Sequence, residues 1–190
     1  MSSAWQCERH GAVAPFRQVS RLTPQTLASF AEQSGVPVWS PLPLLPGWSV
    51  TGLASAGDSR SPAKASVVAL TGPSPLGGPA DLLLIAEEPA VGVGARFAGL
   101  DGPDPGTIPG RVPDAKLEAA GHPTALWSFA SAPDRAAFVG EASGVWLYAI
   151  LWPPAAELVL LEHVELHDLR HVTHTGIDLP FGAPSPHLGS

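Results

Sequence analysis

The chain has 190 residues with a formal net charge of -7, and it is 45% hydrophobic but only 14% charged. A chain of this length can bury the core of one domain. Its ten Lys and Arg residues are scattered among 17 acids, which excludes a nucleic-acid partner because phosphate binding needs clustered basic side chains. The 20 Gly and 22 Pro residues predict a folded chain with many turns and few long helices.

The sequence also predicts a cytoplasmic protein with no membrane partner. Its first residues lack the apolar core of a signal peptide. Residues 144–161 carry a single charge, Glu157, but Pro153 and Pro154 interrupt that run and exclude a membrane span. The one cysteine, Cys7, rules out an internal disulfide and agrees with a reducing compartment.

Cys7 and His10 have the spacing of metal ligands. Two residues separate them and Gly11 follows, as in a zinc knuckle whose tight turn directs two ligands at one ion. A structural zinc site needs four ligands, and no second cysteine exists in this chain. The pair is therefore half of a site, and the alternative is a frayed terminus in which the two residues occur by chance.

Several blocks of the sequence resemble an uncharacterised actinobacterial family of unknown function, and together they span residues 3–170. The blocks are SAWQCERHG, VPVWSPLPLLPGW, GPSPLGGPADLLLIAEE with VGVGARFAGLDGPDPG, and HPTALWSF through GVWLYAILWP. The resemblance implies a Cys-x2-Cys-Gly knuckle upstream of Ser3, which would complete a Cys3His zinc ribbon with Cys7 and His10. This chain lacks that upstream half, so zinc is expected only with an upstream extension and otherwise no cofactor is expected.

A helix is predicted to begin after Thr23 and to end before Gly35. Thr23 can cap it, Pro24 suits its first position, and its apolar residues fall on one face. The following segment, 36–48, contains four prolines and no charge, and we expect it to be extended and partly polyproline-like. Buried, it is a connector that packs through Trp39 and Trp48; exposed, it would be a strip that binds a partner.

The centre of the sheet is predicted at Ala136–Trp152. Two apolar runs flank a short segment with glycine at each end, which is typical of a β-hairpin. The second run has no charge, so both of its faces should be covered. Five further strands are predicted at 48–56, 65–71, 81–87, 116–120 and 123–129. Their short links favour an antiparallel meander over parallel units with crossover helices.

The segment between these strands contains weaker signals. Gly92 and Gly94 follow a strand, but Phe97 stands where a dinucleotide-binding motif needs its third glycine. The longest irregular stretch is 101–114, where Asp101 and Asp104 could bind a cation, although turn formation explains them more simply. Glu87 and Glu88 are adjacent on a strand and should point to opposite faces, which argues against a catalytic acid pair.

A second helix is predicted from Pro153 to Arg170. On it, His163, His167 and His171 recur every four residues and would stack on one side, where a pair at that spacing can bind a metal. The alternative is a solvated polar face among acidic neighbours. A metal-dependent enzyme would use these histidines with a carboxylate such as Asp168 or Asp178.

Together these patterns predict an α+β fold, an antiparallel meander sheet with one helix before it and one after it. Residues 1–22 are expected to be a truncated zinc-ribbon-like segment, 23–175 a single α+β domain and 176–190 an extended tail. The favoured function is a non-catalytic binding or adaptor module for a protein or small ligand, because no nucleophile with its base, no catalytic acid pair and no complete metal site stands out. The alternative is the metal-dependent enzyme.

Overall fold

The computed structural model describes residues 5–7, 11–13, 15–58, 60–108, 110–172 and 179–189. Its helices are α1 (Pro24–Gln33), α2 (Val93–Ala98) and a 3₁₀ helix (Pro154–Leu161). Its strands, in chain order, are β1 (Trp5–Cys7), β2 (Gly11–Val13), β3 (Phe16–Gln18), β4 (Trp39–Pro41), β5 (Ser49–Ala56), β6 (Ala65–Pro73), β7 (Pro79–Glu87), β8 (Ala115–Ala119), β9 (His122–Phe129), β10 (Ala136–Ala142), β11 (Val145–Trp152) and β12 (Glu165–Asp168).

The strands form one small and one large sheet. β1 and β2 pair with each other, and the other ten form a sheet in the order β3-β5-β6-β7-β11-β10-β9-β8-β12-β4. Most neighbours are antiparallel, but β8 and β12 run parallel. The predicted antiparallel meander with one helix on either side is therefore wrong. The sheet is mixed, and the short helix α2 lies within the strand series.

The first predicted helix is confirmed as α1. The Thr26 backbone N–H donates to Thr23 Oγ1 at 3.1 Å, and the Thr23 N–H donates to Thr26 Oγ1 at 2.8 Å, which forms a reciprocal capping box. Leu27 and Ala31 are buried on the face that packs against the sheet. The helix ends at Gln33 with Ser34 as its C-terminal cap, so it ends before Gly35 as predicted.

The predicted central hairpin is also confirmed. β10 pairs with β11, and β11 pairs on its other side with β7. Alternate β11 residues enter two separate cores. Leu147, Ala149 and Leu151 face the larger core, and Tyr148, Ile150 and Trp152 face the smaller one. Burial on both faces is why the sequence of this strand is apolar without alternation.

The sheet curls so that its last strand, β4, lies against β6 and β7. This brings α1, the 3₁₀ helix and the ends of the sheet around the larger core. Trp39 and Trp48 are both buried there, as predicted for a packed connector. The connector is not polyproline-like throughout, since Trp39–Pro41 is β4 and pairs with β12.

The second predicted helix is wrong beyond Leu161. Only Pro154–Leu161 is helical, as a 3₁₀ helix, and Glu165–Asp168 forms β12 between β8 and β4. Val164 and Leu166 are buried, whereas Glu165 and His167 are partly exposed. That two-residue alternation is the strand signal that the four-residue spacing of the histidines obscured.

Candidate functional site

The structure separates the three histidines predicted to bind metal. His163 precedes β12 and His171 follows it, so the helix on which they were to stack is absent. His167 Nε2 lies 3.0 Å from Glu165 Oε1, whereas His171 Nε2 lies 3.6 Å from Asp168 Oδ2. Within the described ranges, no three His, Cys, Asp or Glu side chains are grouped so as to hold a metal ion.

Asp168, the carboxylate predicted to assist those histidines, is held by hydrogen bonds from Arg170 and from the backbone of Val38. Arg170 donates two side-chain hydrogen bonds to Asp168 Oδ2, at 2.9 and 2.7 Å. The Val38 N–H donates to Asp168 Oδ1 at 3.1 Å. Burial alone would raise the pKa of Asp168, but these hydrogen bonds outweigh it and the pKa is lowered. The carboxylate thereby joins β12 to the entrance of β4.

The zinc half-site lies outside what the structure describes. His10 and Asp178 are not among the described residues, and only the backbone of Cys7 is, as the last residue of β1. Zinc at Cys7 and His10 therefore stays a prediction.

Gly92 and Gly94 position α2 over a buried carboxylate. Glu87, at the end of β7, is 0% exposed, and its Oε2 accepts hydrogen bonds from the N–H groups of Val93 at 2.7 Å and Gly94 at 3.1 Å. Gly92 begins the helix with a φ of 82°, in the left-handed region. A Cβ on Gly94 would lie 2.2 Å from Tyr148 Cδ2, so glycine permits close packing there. The first N–H groups of α2 thus serve Glu87 and not a phosphate.

Glu87 and Tyr148 form a buried polar pair. Burial is the largest influence on Glu87 and raises its pKa from 4.5 to about 7, although the two N–H donors and the Tyr148 phenol oppose the shift. Burial and the nearby carboxylate also raise the pKa of Tyr148. Within the described chain, neither Glu87 Oε1 nor the Tyr148 hydroxyl makes a hydrogen bond of good geometry. Glu87 is thus fully enclosed between β7, α2 and β11.

Asp104 secures the long irregular stretch 101–114 to the sheet. Its Oδ1 accepts from the Ala90 N–H at 2.8 Å and from Trp146 Nε1 at 3.2 Å. At the far end, Asp114 Oδ2 accepts from the Ser128 N–H at 2.7 Å, and Arg111 donates to Asp114 Oδ1. The Arg111 hydrogen bond is the largest of the influences that lower the pKa of Asp114 to about 2. Both aspartates therefore hold chain segments in place.

The outer edge of β5 has two partners. β3 pairs with Ser55 and its neighbours, and the C-terminal segment 179–189 runs along the remaining part. The Val50 N–H donates to the Pro180 carbonyl at 2.9 Å, the Gly182 N–H to the Val50 carbonyl at 2.9 Å, and the Ser185 N–H to the Thr51 carbonyl at 3.0 Å. The segment predicted as an extended tail therefore completes a strand edge.

A row of side chains that crosses four strands accompanies this segment. Thr51 and Thr71 are joined at 3.1 Å between hydroxyl oxygens, and the Thr71 hydroxyl donates to Asp81. Asp81 is paired in register with Trp152 on β11. The imidazole of His187 stacks on Trp152, with ring centres 4.3 Å apart and planes 9° apart, and its Nε2 lies 3.6 Å from Asp81 Oδ2.

Leu188 is the apolar anchor of the segment. It is buried in the smaller core, and the Gln18 side-chain amide donates to its carbonyl at 2.7 Å. We call the surface that receives residues 179–189 the β5 groove. The groove residues that meet Gly182, His187 and Leu188 are Ser49, Thr51, Gly52, Asp81 and Trp152.

A second recess, of about 370 Å³, is open to solvent beside α1 and β5. Its charged lining residues are Arg17, Arg60, Glu32 and Asp58. Two cations and two anions balance in charge, so this recess favours no class of ligand.

Sequence reasoning missed the β5 groove. The frequent Pro and Gly residues of 176–190 predict an extended tail. The available signals were Phe181 and Leu188, apolar residues that a solvated tail does not need.

No helix in the described ranges is both long enough and apolar enough to span a bilayer.

The sequence matches one family over nearly its whole length. A family described as "Family of unknown function (DUF6758)" matches residues 1–188, and the chain belongs to it. No curated protein and no solved structure significantly matches the chain.

Proposed function

We propose that this member of DUF6758 is a non-catalytic binding module that receives an extended peptide in the β5 groove. The observation that carries the proposal is that the groove holds such a peptide from its own chain. Three backbone hydrogen bonds join β5 to residues 180–185, in the manner by which a strand edge takes up a peptide. Residues 179–189 would then be a displaceable occupant that keeps the edge covered until a partner arrives.

The contacts of the segment support displacement. Leu179, Ser185 and Leu188 are buried, whereas Pro180, Gly182, Ala183, Pro184, Pro186 and Gly189 are exposed. A peptide held by few anchors can be exchanged for one that makes better contacts.

The setting of the acids supports a role without catalysis. Glu87, whose pKa lies near neutrality, is fully buried, and Asp168 is bound by Arg170. The histidines proposed for a metal-dependent enzyme lie apart along the chain around β12. We keep the cytoplasm as the proposed compartment on the strength of the single cysteine.

The experiment measures binding of a fluorescent peptide with the sequence of residues 179–189 to the full chain. In a Gly182→Val, Leu188→Asp variant, the chain's own segment should leave the groove, and the labelled peptide should bind there. In the natural chain, the tethered segment competes at a high effective concentration, so the peptide should bind on the order of tenfold more weakly or worse. Fluorescence anisotropy gives both dissociation constants.

A matched pair of glycine variants provides the control. Gly52→Ala, added to the released variant, places a Cβ where Leu188 Cδ2 would come within 2.5 Å, and should prevent peptide binding. Gly110→Ala introduces a Cβ that meets nothing within 4 Å and should have no effect. Circular dichroism establishes that each variant is folded. A folded released variant that binds the peptide no better than the natural chain would refute the proposal.

A further inference from the structure

We infer that the β5 groove selects a partner-protein segment that carries glycine and leucine separated by five residues, with a flat ring directly before the leucine. This inference rests on the proposed function and specifies its ligand. In the chain's own segment the three positions are Gly182, His187 and Leu188. Each meets a different restriction in the groove.

The glycine position is restricted by Ser49 and Thr51. A Cβ on Gly182 would lie 2.6 Å from Ser49 Oγ and 3.0 Å from Thr51 Cγ2. These contacts are too close for a normal side chain, whereas the Gly182 N–H lies at hydrogen-bond distance from the Val50 carbonyl. A larger residue must displace the Ser49 hydroxyl or move the peptide backbone away from β5, and such a movement of the backbone would weaken that hydrogen bond.

The leucine position is shaped by a glycine of the groove. Leu188 Cδ2 would lie 2.5 Å from a Cβ on Gly52. This methyl group therefore occupies the space that a side chain at position 52 would fill. Ala54 and Ala69 belong to the same core, and both have small side chains. A branched aliphatic side chain fits this space, and a charged one would be buried without a partner.

The ring position is restricted by Trp152 and Asp81. The nearly parallel stack of His187 on Trp152 requires a planar side chain, and the carboxylate 3.6 Å away favours one that carries a proton donor. The spacing between the glycine and the ring is fixed by the hydrogen bond from the Ser185 N–H to Thr51. The groove therefore selects an extended peptide that has the glycine, the ring and the leucine at this spacing.

The partner is a different protein and not a second copy. Exchange of segments between two copies would replace each contact by an identical one. It would also cost the freedom that two molecules lose on association. A different protein pays the same association cost, but its additional contacts with this chain can offset that cost.

The test uses single substitutions in the labelled peptide with the Gly182→Val, Leu188→Asp chain. Alanine for the glycine, aspartate for the leucine and alanine for the histidine should each weaken binding, by about tenfold or more for the first two. Serine for Ala183, which is exposed, is the control and should leave the dissociation constant unchanged.

The outcomes separate the two proposals. If the unsubstituted peptide binds and all substituted peptides bind equally well, the selectivity is refuted while peptide binding stands. If no peptide binds, the proposed function itself fails. The source of the partner is tested on the natural chain by light scattering after size-exclusion chromatography. A monomer at all concentrations is expected. A concentration-dependent dimer that Leu188→Asp abolishes would identify a second copy as the occupant, and would overturn the inference that the partner is a different protein.

Discussion

Two carboxylates lie inside this protein in opposite electrostatic settings. Glu87 is covered by α2 and receives two backbone N–H groups, with the Tyr148 phenol beside it. Asp168 is almost as deeply buried, but Arg170 donates several hydrogen bonds to it. The pKa of Glu87 is raised to about 7, whereas the pKa of Asp168 is lowered.

The difference shows that burial alone does not decide the charge of an interior acid. Burial is the largest single influence on both groups and raises the pKa of each. At Glu87 the backbone donors and the phenol only reduce that rise, whereas at Asp168 the guanidinium and the backbone donors exceed it. Asp168 is therefore ionised at neutral pH and stabilises the fold, while Glu87 is divided between its two forms.

Removal of the counter-charge should have the largest effect. Arg170→Ala would leave Asp168 buried without its cation and would break the hydrogen bond from Arg170 to the Gly35 carbonyl. We expect a loss of about 3 kcal/mol in the free energy of unfolding at neutral pH, measured by urea denaturation. Because the pKa of Asp168 is lowered in the folded state, this contribution is present above the unfolded-state pKa and disappears as the pH falls through the folded-state pKa.

The control for that experiment is the exposed ion pair of Lys64 and Glu88, whose nitrogen and oxygen lie 3.7 Å apart. Lys64→Ala should change stability by less than about 1 kcal/mol. Equal effects of Arg170→Ala and Lys64→Ala would contradict the contrast between buried and exposed pairs.

Glu87→Gln should have an effect of similar size but opposite sign, and only at higher pH. The raised pKa means that the contribution of Glu87 to stability is fully present below pH 4.5 and is lost as the pH rises to about 7. A shift from 4.5 to about 7 corresponds to about 3 kcal/mol. The neutral amide avoids that loss, so the variant should be more stable than the natural chain at about pH 8 and equal to it at about pH 4.

Thermal unfolding across this pH range measures the effect. Glu88→Gln, a change at the adjacent exposed residue, should leave the pH dependence as it is. If Glu87→Gln lowers stability equally at both ends of the range, Glu87 is ionised throughout and the assigned shift is wrong.

Tyr148→Phe should have a smaller effect. The hydroxyl it removes makes no hydrogen bond of good geometry within the described chain, so stability should change by no more than about 1 kcal/mol. The phenol lowers the pKa of Glu87, so its loss should raise that pKa further. The pH at which stability declines should move upward, and a downward movement would contradict this role of the phenol.

The smallest effect is expected at the exposed acid Asp114. Its pKa of about 2 reflects hydrogen bonds with Arg111 and Ser128, but its side chain is 30% exposed and solvent screens the charge. Asp114→Asn should lower stability by less than about 1 kcal/mol in urea. A loss as large as that of Arg170→Ala would mean that hydrogen bonding, and not burial, sets the importance of an acid here.

The sequence predicted the local parts of this structure well. α1 carries its start signals in Thr23 and Pro24, and the β10–β11 hairpin carries its turn residues between two apolar runs. It predicted the region around β12 poorly, since His163, His167 and His171 match a helical spacing while their apolar neighbours alternate as in a strand. Of the candidate site, it placed Asp81 and Trp152 on strands but gave no indication that they lie beside each other.

By itself, then, the sequence determined the elements whose signals lie within a few residues: the capped helix, the central hairpin and the apolar strands around it. Only the tertiary structure decided which strands are neighbours, whether Glu87 is buried, and where residues 179–189 bind. The physical reason is distance along the chain. The contact between Val50 and Phe181 and the hydrogen bond from Val38 to Asp168 each join residues more than 100 positions apart, and no signal within a few residues of either partner specifies such a contact.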